Sequence, residues 1–479
     1  MSAQGDFVLV LDAGTTSTRA LVIAPDGAVQ GVAVQEITQH YPQAGWVEHD
    51  AEEIWRATLA CARAAVERAG GADRIAAIGI TNQRETVVAW DRTTGQPLAR
   101  AIVWQDRRTA AFCNALRDAG QEPDVQSRTG LLLDPYFSAS KMRWMLDHVG
   151  EVRGAADAGR LAFGTVESWL VMKLTGGAFV TDASNASRTS LLPLTGASWD
   201  ETLCAIFGVP RAALGEVVDC AGPVGTSQAE WLGRAIPIAG LAGDQQAATI
   251  GQGCLAPGDV KATYGTGAFV LANMGAAVPK SGHRLLGTVL CQLGGQRSYA
   301  LEGSVFVAGS LIKWLRDSMG LIAGASETAA LAASVPDSGG VVIVPALAGL
   351  GAPHWRPDAR ASITGMTFAT TKAHVARAAL EAMAMQTHDL ATAFAADGAG
   401  WRSLKIDGGM SANDWMAQDI ASMLALSVER PDFVETTALG AGMLAAVGRG
   451  STPRSRPPAR RCGGRCGGSI RSWMKLRGR

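Results

Sequence analysis

The 479-residue chain has no apolar run long enough to cross a membrane: uncharged stretches such as Ser338 to Pro353 are broken by Gly and Pro, short of the roughly 20 apolar residues a spanning helix needs. Its first residues, Met1 to Asp6, lack the basic and apolar regions of a secretory signal, and a cytoplasmic setting is expected. A disulfide framework is also missing. Of eight Cys, six (Cys61, Cys113, Cys204, Cys220, Cys254, Cys291) are scattered singly. Cys462 and Cys466 form a lone pair without His, a poor zinc site. Net charge is absent too, with 43 Lys and Arg against 43 Asp and Glu, which argues against a nucleic-acid binder. No heptad array, short repeat or low-complexity tract precedes residue 448.

What is present is the composition of a globular protein, 47% hydrophobic and 18% charged, in a chain long enough for two or three domains. The zero charge hides a segregation. Residues 449–479 hold nine Arg and one Lys with no acid, so residues 1–448 carry 33 basic against 43 acidic groups. The tail, rich in Arg, Gly, Pro and Ser, has too few apolar groups to offset its chain entropy and is expected to be disordered. Codons for Arg, Gly, Pro and Ala are GC-rich, so a shifted reading frame near residues 442–450 is the expected origin of such text.

Phe7 to Gly27 reads as two apolar strands joined by Gly14-Thr-Thr-Ser17, a β-hairpin with Asp12 at the end of its first strand. Ala51 to Ala69 places Ile54, Ala57, Cys61 and Ala65 at helical spacing behind an acidic start, and Ile75 to Ile80 is a short buried strand. Strand and helix alternate, predicting an α/β layer architecture. Val260 to Asn273 repeats the grammar of the first hairpin. The chain is therefore read as two related halves meeting near Ala247 to Gly253, the second ending with a helix around Thr437 to Val447.

Gly/Thr hairpins in both halves suit a phosphate gripped from two sides, because tight turns aim N–H groups and hydroxyls inward. Gly14, Thr15, Thr16 and Ser17 supply donors, Arg19 a positive charge, and Asp12 a carboxylate for hydrated magnesium; a plain exposed turn is the equal alternative for one hairpin alone. Asp244 follows an apolar strand and heads an Ala-rich helix, where a carboxylate beside a phosphate accepts the proton of an attacking hydroxyl. Taken by itself it reads as an N-cap. In Asp407-Gly-Gly-Met-Ser-Ala-Asn413 the glycines let a nucleoside lie against the backbone, although local text favours a cap by Ser411 or Asn413. Arg84 and Glu85, after a buried strand, offer a donor fork and an acceptor for a polyol's hydroxyls, or else a surface salt bridge. Trp104, Tyr136 and Phe137 supply aromatic walls or plain packing.

Together these segments resemble the FGGY carbohydrate kinases, which share the actin and hexokinase fold, and within them the branch that phosphorylates glycerol. The resemblance covers residues 7–447 and rests on Leu11 to Arg19, Asn82 to Glu85, Val103 to Arg108, Gly130 to Phe137 with Lys141, Gly243 to Gln246, Tyr264 to Phe269 and Asp407 to Gly409, in that order. It implies two ribonuclease-H-like α/β domains around a central cleft: 1–247, binding glycerol and phosphate, and 248–448, binding nucleotide, with 449–479 as the basic tail. Arg84, Glu85, Tyr136, Asp244 and Gln245 would then hydrogen-bond glycerol, and Trp104 and Phe269 would pack on its carbons. Thr15, Thr16, Ser17, Gly265 and Thr266 would hold phosphates, with Arg19 nearby. Gly309, Gly409 and Asn413 would bound the nucleoside.

In that reading Asp244 is the general base, and Asp12 and, through water, Asp244 hold Mg2+. Glycerol and ATP are the partners, in a homodimer or homotetramer. Sibling kinases for xylulose, gluconate or ribulose would lack the Asn82-Gln-Arg-Glu85 segment with Trp104 and Tyr136; an actin-like ATPase would add a peptide-binding domain or polymer interface. Two departures stand out. Lys313 occupies a position near the nucleotide where the branch often carries Gln. The loop through which fructose 1,6-bisphosphate inhibits some bacterial members, Gly-Gly-Thr-Arg, reads Leu232-Gly-Arg-Ala235 here, so that ligand is expected to have little effect.

Overall fold

The computed structural model describes residues 5–356, 358–431 and 435–450. Two six-stranded sheets organise it. The first contains β1 (Phe7–Ala13), β2 (Ser17–Ile23), β3 (Val29–Glu36), β4 (Ile75–Asn82), β5 (Ala221–Thr226) and β6 (Pro237–Gly243), in the order β5-β6-β4-β1-β2-β3. β1 pairs antiparallel with β2 and parallel with β4, which in turn runs parallel with β6. The second contains β7 (Val260–Tyr264), β8 (Ala268–Gly275), β9 (Leu286–Leu293), β10 (Gln296–Val305), β11 (Ser403–Asp407) and β12 (Ser427–Glu429), in the order β9-β10-β8-β7-β11-β12. There β7 pairs antiparallel with β8 and parallel with β11. Each sheet thus starts with the predicted hairpin and receives a parallel partner for its first strand from a later segment. The two halves are related in topology as well as in text.

β1 and β4 are buried along their whole length, as expected of central strands covered on both faces. One cover is α1 (Ala51–Arg68), started by Asp50, whose carboxylate accepts from the Glu52 and Glu53 amides. The predicted stripe Ile54, Ala57, Cys61 and Ala65 is its buried face. The opposite cover departs from expectation. The last helix, α3 (Thr436–Gly448), was assigned from sequence to the second half, yet it lies on the first sheet with Val8, Val10, Ala77 and Ala239. It also packs against α2 (Asp244–Gly251), which spans the junction drawn between residues 247 and 248. Apolar periodicity shows that a helix is buried, not which sheet buries it.

Small residues set this docking distance. A Cβ on Gly79 in β4 would lie 2.6 Å from the Ala441 carbonyl oxygen, and one on Gly240 in β6 would lie 2.4 Å from the Ala445 nitrogen. Between the helices, a Cβ on Gly440 would come within 1.8 Å of the Ala247 oxygen. Of the basic tail, 449–479, Arg449 and Gly450 are described at the end of α3, and residues 451–479, where disorder is expected, lie outside the described residues. The frame shift expected near residues 442–450 falls on helix and cap that are described, and their geometry does not bear on the reading frame.

Candidate active site

The cleft between the sheets is built from strand ends and their turns, where loops of α/β folds place functional groups. It encloses about 150 Å³ and is lined by Thr15, Arg84, Glu85, Trp104, Tyr136, Asp244, Gln245, Thr263, Gly265, Thr266, Gly267 and Phe269. Every predicted glycerol-contacting side chain is in that set, as are Thr15, Gly265 and Thr266 of the predicted phosphate turns. Trp104 stands edge-on to Tyr136 at 5.8 Å and to Phe269 of the second domain at 6.0 Å, so one aromatic wall crosses both domains. The Trp104 indole donates to Thr15 Oγ1 at 2.9 Å, which ties that wall to the first hairpin.

The cleft also carries charge, joined to the aromatic wall where the Tyr136 hydroxyl accepts from Arg84 Nη2 at 3.3 Å. Arg84 and Glu85 are both buried, which removes the surface salt-bridge reading. Glu85 holds a left-handed backbone, φ 62°, a strain that non-glycine residues keep at sites where the side chain's direction matters. Arg84 Nε faces Asp244 Oδ1 at 3.4 Å and Glu85 Oε1 at 3.8 Å. Burial raises the Glu85 carboxyl above its usual range, against the pull of Arg84 and Arg188.

Asp244 is the first residue of α2 behind Gly243, so the N-cap position itself belongs to Gly243. Its Oδ1 accepts from the Gln245 amide at 2.7 Å, and about a third of its side chain opens into the cleft. Enclosure raises its pKa, opposed by Arg84 and Lys261. Asp12, at the end of β1, is buried; burial pushes it up to about 6, with Arg19 lowering it and Asp244 raising it further. Asp12 lies outside the cleft lining and is paired with Arg19, but the charge of Asp244 reaches it, so these two carboxylates would be the oxygens available to a divalent cation. Among the described residues there is no cluster of three or more His, Cys, Asp or Glu that would cage one. The remaining ligands would be water and phosphate oxygens, the habit of Mg2+.

Other predicted phosphate and nucleoside residues divide. Gly309 donates its amide to the Gly265 oxygen at 2.9 Å, and a Cβ on it would lie 2.5 Å from that oxygen and 3.1 Å from Met410 Cγ, so these turns abut. Gly409 and Thr16 are exposed, and the Ser17 carbonyl accepts from Gly14 within the turn. Arg19 is paired with Asp12 at 3.0 Å and Glu435 at 2.6 Å, so its charge is already matched by carboxylates. Asn413 caps the helix Asp414–Leu424 through the Met416 amide and donates to Thr328, the local reading of that turn. Lys313 is exposed, and Arg234 is held by the Ala72 and Asp73 carbonyls.

Three buried charges escaped the sequence reading. Arg188 Nε donates to Glu85 Oε1 at 2.6 Å, Glu302 bridges Arg84 and Arg188, and Lys261 donates to Gln245 Oε1 at 2.5 Å and Thr263 Oγ1 at 2.7 Å. A signal existed: single charges inside apolar strand text, Tyr299-Ala-Leu-Glu302 and Val260-Lys261-Ala, imply buried partners.

Fold and cleft define a two-domain α/β kinase of the actin and hexokinase class. Residues 7–251 match the N-terminal domain, and residues 260–449 the C-terminal domain, of the FGGY family of carbohydrate kinases. The chain belongs to that family. It is 57% identical over 447 residues to a glycerol kinase of Aromatoleum aromaticum, covering 93% of this chain and 90% of the relative. It is 55% identical over 444 residues to one from Gluconobacter oxydans, covering 92% and 87%. Among solved structures, the Plasmodium falciparum glycerol kinase with ADP superposes with a TM-score of 0.86 at 36% identity, covering 93% of this chain and 90% of that one.

Proposed function

We propose that this chain phosphorylates glycerol with ATP, yielding sn-glycerol 3-phosphate and ADP. One observation carries the reading: a cleft of about 150 Å³ gathers the polar groups of Arg84, Glu85, Tyr136, Asp244 and Gln245 with the Trp104 and Phe269 rings, a mixed lining at the scale of a three-carbon polyol. The relatives named glycerol kinase support the same substrate.

Asp244 is the general base. As the terminal hydroxyl oxygen bonds to the γ-phosphorus, the bond from phosphorus to the leaving ADP oxygen breaks, and the hydroxyl proton passes to Asp244 Oδ. Phosphoryl transfer is mostly positioning and charge stabilisation. Arg84 and Glu85 orient the hydroxyls, the aromatic wall excludes water from the carbon face, and the Gly/Thr turns at Thr15 and at Gly265 to Gly267 receive phosphate oxygens from opposite sides. Mg2+, held by Asp12 and through water by Asp244, would neutralise phosphate charge. ATP as co-substrate makes the cytoplasm the working compartment. A homodimer or homotetramer is supported by the exposed apolar side chains Val342, Val344, Met366 and Phe368, to be checked by light scattering of the eluted protein.

A coupled assay offering glycerol, xylulose and gluconate separately with Mg-ATP tests the substrate. ADP release is expected with glycerol alone. Faster turnover of xylulose or gluconate would move the chain to a sibling activity, and ATP hydrolysis indifferent to every polyol would replace the kinase reading.

A further inference from the structure

Glu302 lies in the interior of β10 in the second domain, fully buried. A carboxylate there loses its hydration and must regain that energy from partners. Its charged partners come from the other domain. Glu302 Oε2 accepts from Arg84 Nη1 at 2.6 Å, and Oε1 from Arg84 Nη2 at 2.9 Å, a bidentate fork. Oε1 also accepts from Arg188 Nη2 at 3.1 Å and from Ser304 Oγ at 3.1 Å. Burial would raise this carboxyl, but Arg188 and Arg84 outweigh it and hold it down at about 2. Glu302 therefore stays ionised throughout the working range of pH.

Each guanidinium fixed by Glu302 touches the polyol-facing groups with its remaining atoms. With both Nη atoms engaged, Arg84 turns Nε toward Asp244 and Glu85. Arg188 uses Nε to hold Glu85 Oε1 at 2.6 Å and leans over the rings of Tyr136 and Phe137 at 5.6 and 5.3 Å. Glu302 itself does not line the cleft.

We infer that Glu302 is a positioning residue for polyol recognition: from the second domain it fixes Arg84 and Arg188, and through them Glu85, so that the polyol's polar wall is assembled only where the two domains meet. The inference rests on the proposed role of Arg84 and Glu85 as hydroxyl partners. Its ligand chemistry is narrow, since Arg84 Nη1 also donates to Gln246 Oε1 and Nη2 to the Tyr136 hydroxyl, both at 3.3 Å, which leaves Nε, beside Asp244, as the loosest donor of the group.

Glu302→Gln keeps the shape and removes the charge. Steady-state kinetics of the full chain should show the KM for glycerol rising tenfold or more, with the KM for ATP within about twofold of the parent. The kcat at saturating glycerol should fall less than the glycerol KM rises, since Glu302 touches neither reacting atom. Equal rises in both KM values, an unchanged glycerol KM or a loss confined to kcat would overturn the inference. If Glu302→Gln is insoluble, Arg188→Lys, which keeps the charge but loses the planar bridge from Glu302 to Glu85, carries the same KM comparison. The parent enzyme, assayed first with glycerol, xylulose and gluconate, separates the two readings. If another polyol is the substrate, the test is run with that polyol; if none is accepted, the inference falls together with the reading it rests on.

Discussion

Asp244→Asn is expected to bind glycerol and ATP as the parent does and to lose about 10²- to 10⁴-fold in kcat, the usual contribution of a positioned general base. The substitution is isosteric, and an Asn carbonyl can keep the contact with the Gln245 amide now made by Oδ1 at 2.7 Å. What it lacks is a site for the hydroxyl proton. Burial raises the Asp244 carboxyl above the ordinary carboxylate range, which brings its basicity closer to working pH. A base must be unprotonated, so parent activity falls as pH drops through that raised value. In the variant that contribution to the acid limb disappears, leaving Glu85, whose carboxyl burial also raises, and Asp12 behind the cleft, pushed up to about 6, as the neighbouring carboxyls. Calorimetric titration with glycerol and with ATP, beside the coupled kinetic assay, separates binding from chemistry. Near-normal turnover in the purified variant would remove Asp244 as the base.

Most of this cleft is legible in the sequence because its groups sit on short local motifs. A Gly/Thr turn between two apolar runs, or Asp-Gly-Gly between a strand and a helix, carries its conformation within a few residues. Asp12, Arg84, Asp244 and Gly265 are therefore found at strand ends, where their text predicts them. The unread part is long-range. Arg84 and Glu302 are 218 residues apart, and nothing local to either records the fork between them. Arg19 reads as a phosphate cation until Glu435, 416 residues away, is seen to accept from it. Asn413 is the opposite case: its local text predicts the cap that its Oδ1 makes to the Met416 amide, while its role toward a nucleoside comes from the resemblance alone.

Gly440→Ala tests a long-range contact that reaches Asp244 through the backbone of α2, and it is expected to destabilise the protein and slow it together. In an exposed helix interior the change from Gly to Ala favours folding by about 1 kcal/mol. At residue 440 the new methyl would stand 1.8 Å from the Ala247 carbonyl oxygen and 2.9 Å from the Gly251 nitrogen, backbone atoms that no rotamer change can move aside. Overpacking of this kind costs about 1–3 kcal/mol, and the upper end applies where backbone meets backbone. The cost exceeds the gain, so α3 and α2 must separate. Asp244 begins α2, and a shift of roughly 1 Å in a reacting group can cost about 10² in rate. Gly154→Ala is the control, since Gly154 lies in the helix Gly150–Asp157, is exposed, and would place its Cβ with nothing within 4 Å. The midpoint of thermal inactivation should rise slightly in the control and fall by several degrees in Gly440→Ala, with kcat reduced only in the latter. If both variants gain stability alike, the close approach of α3 to α2 is not what holds Asp244 in place.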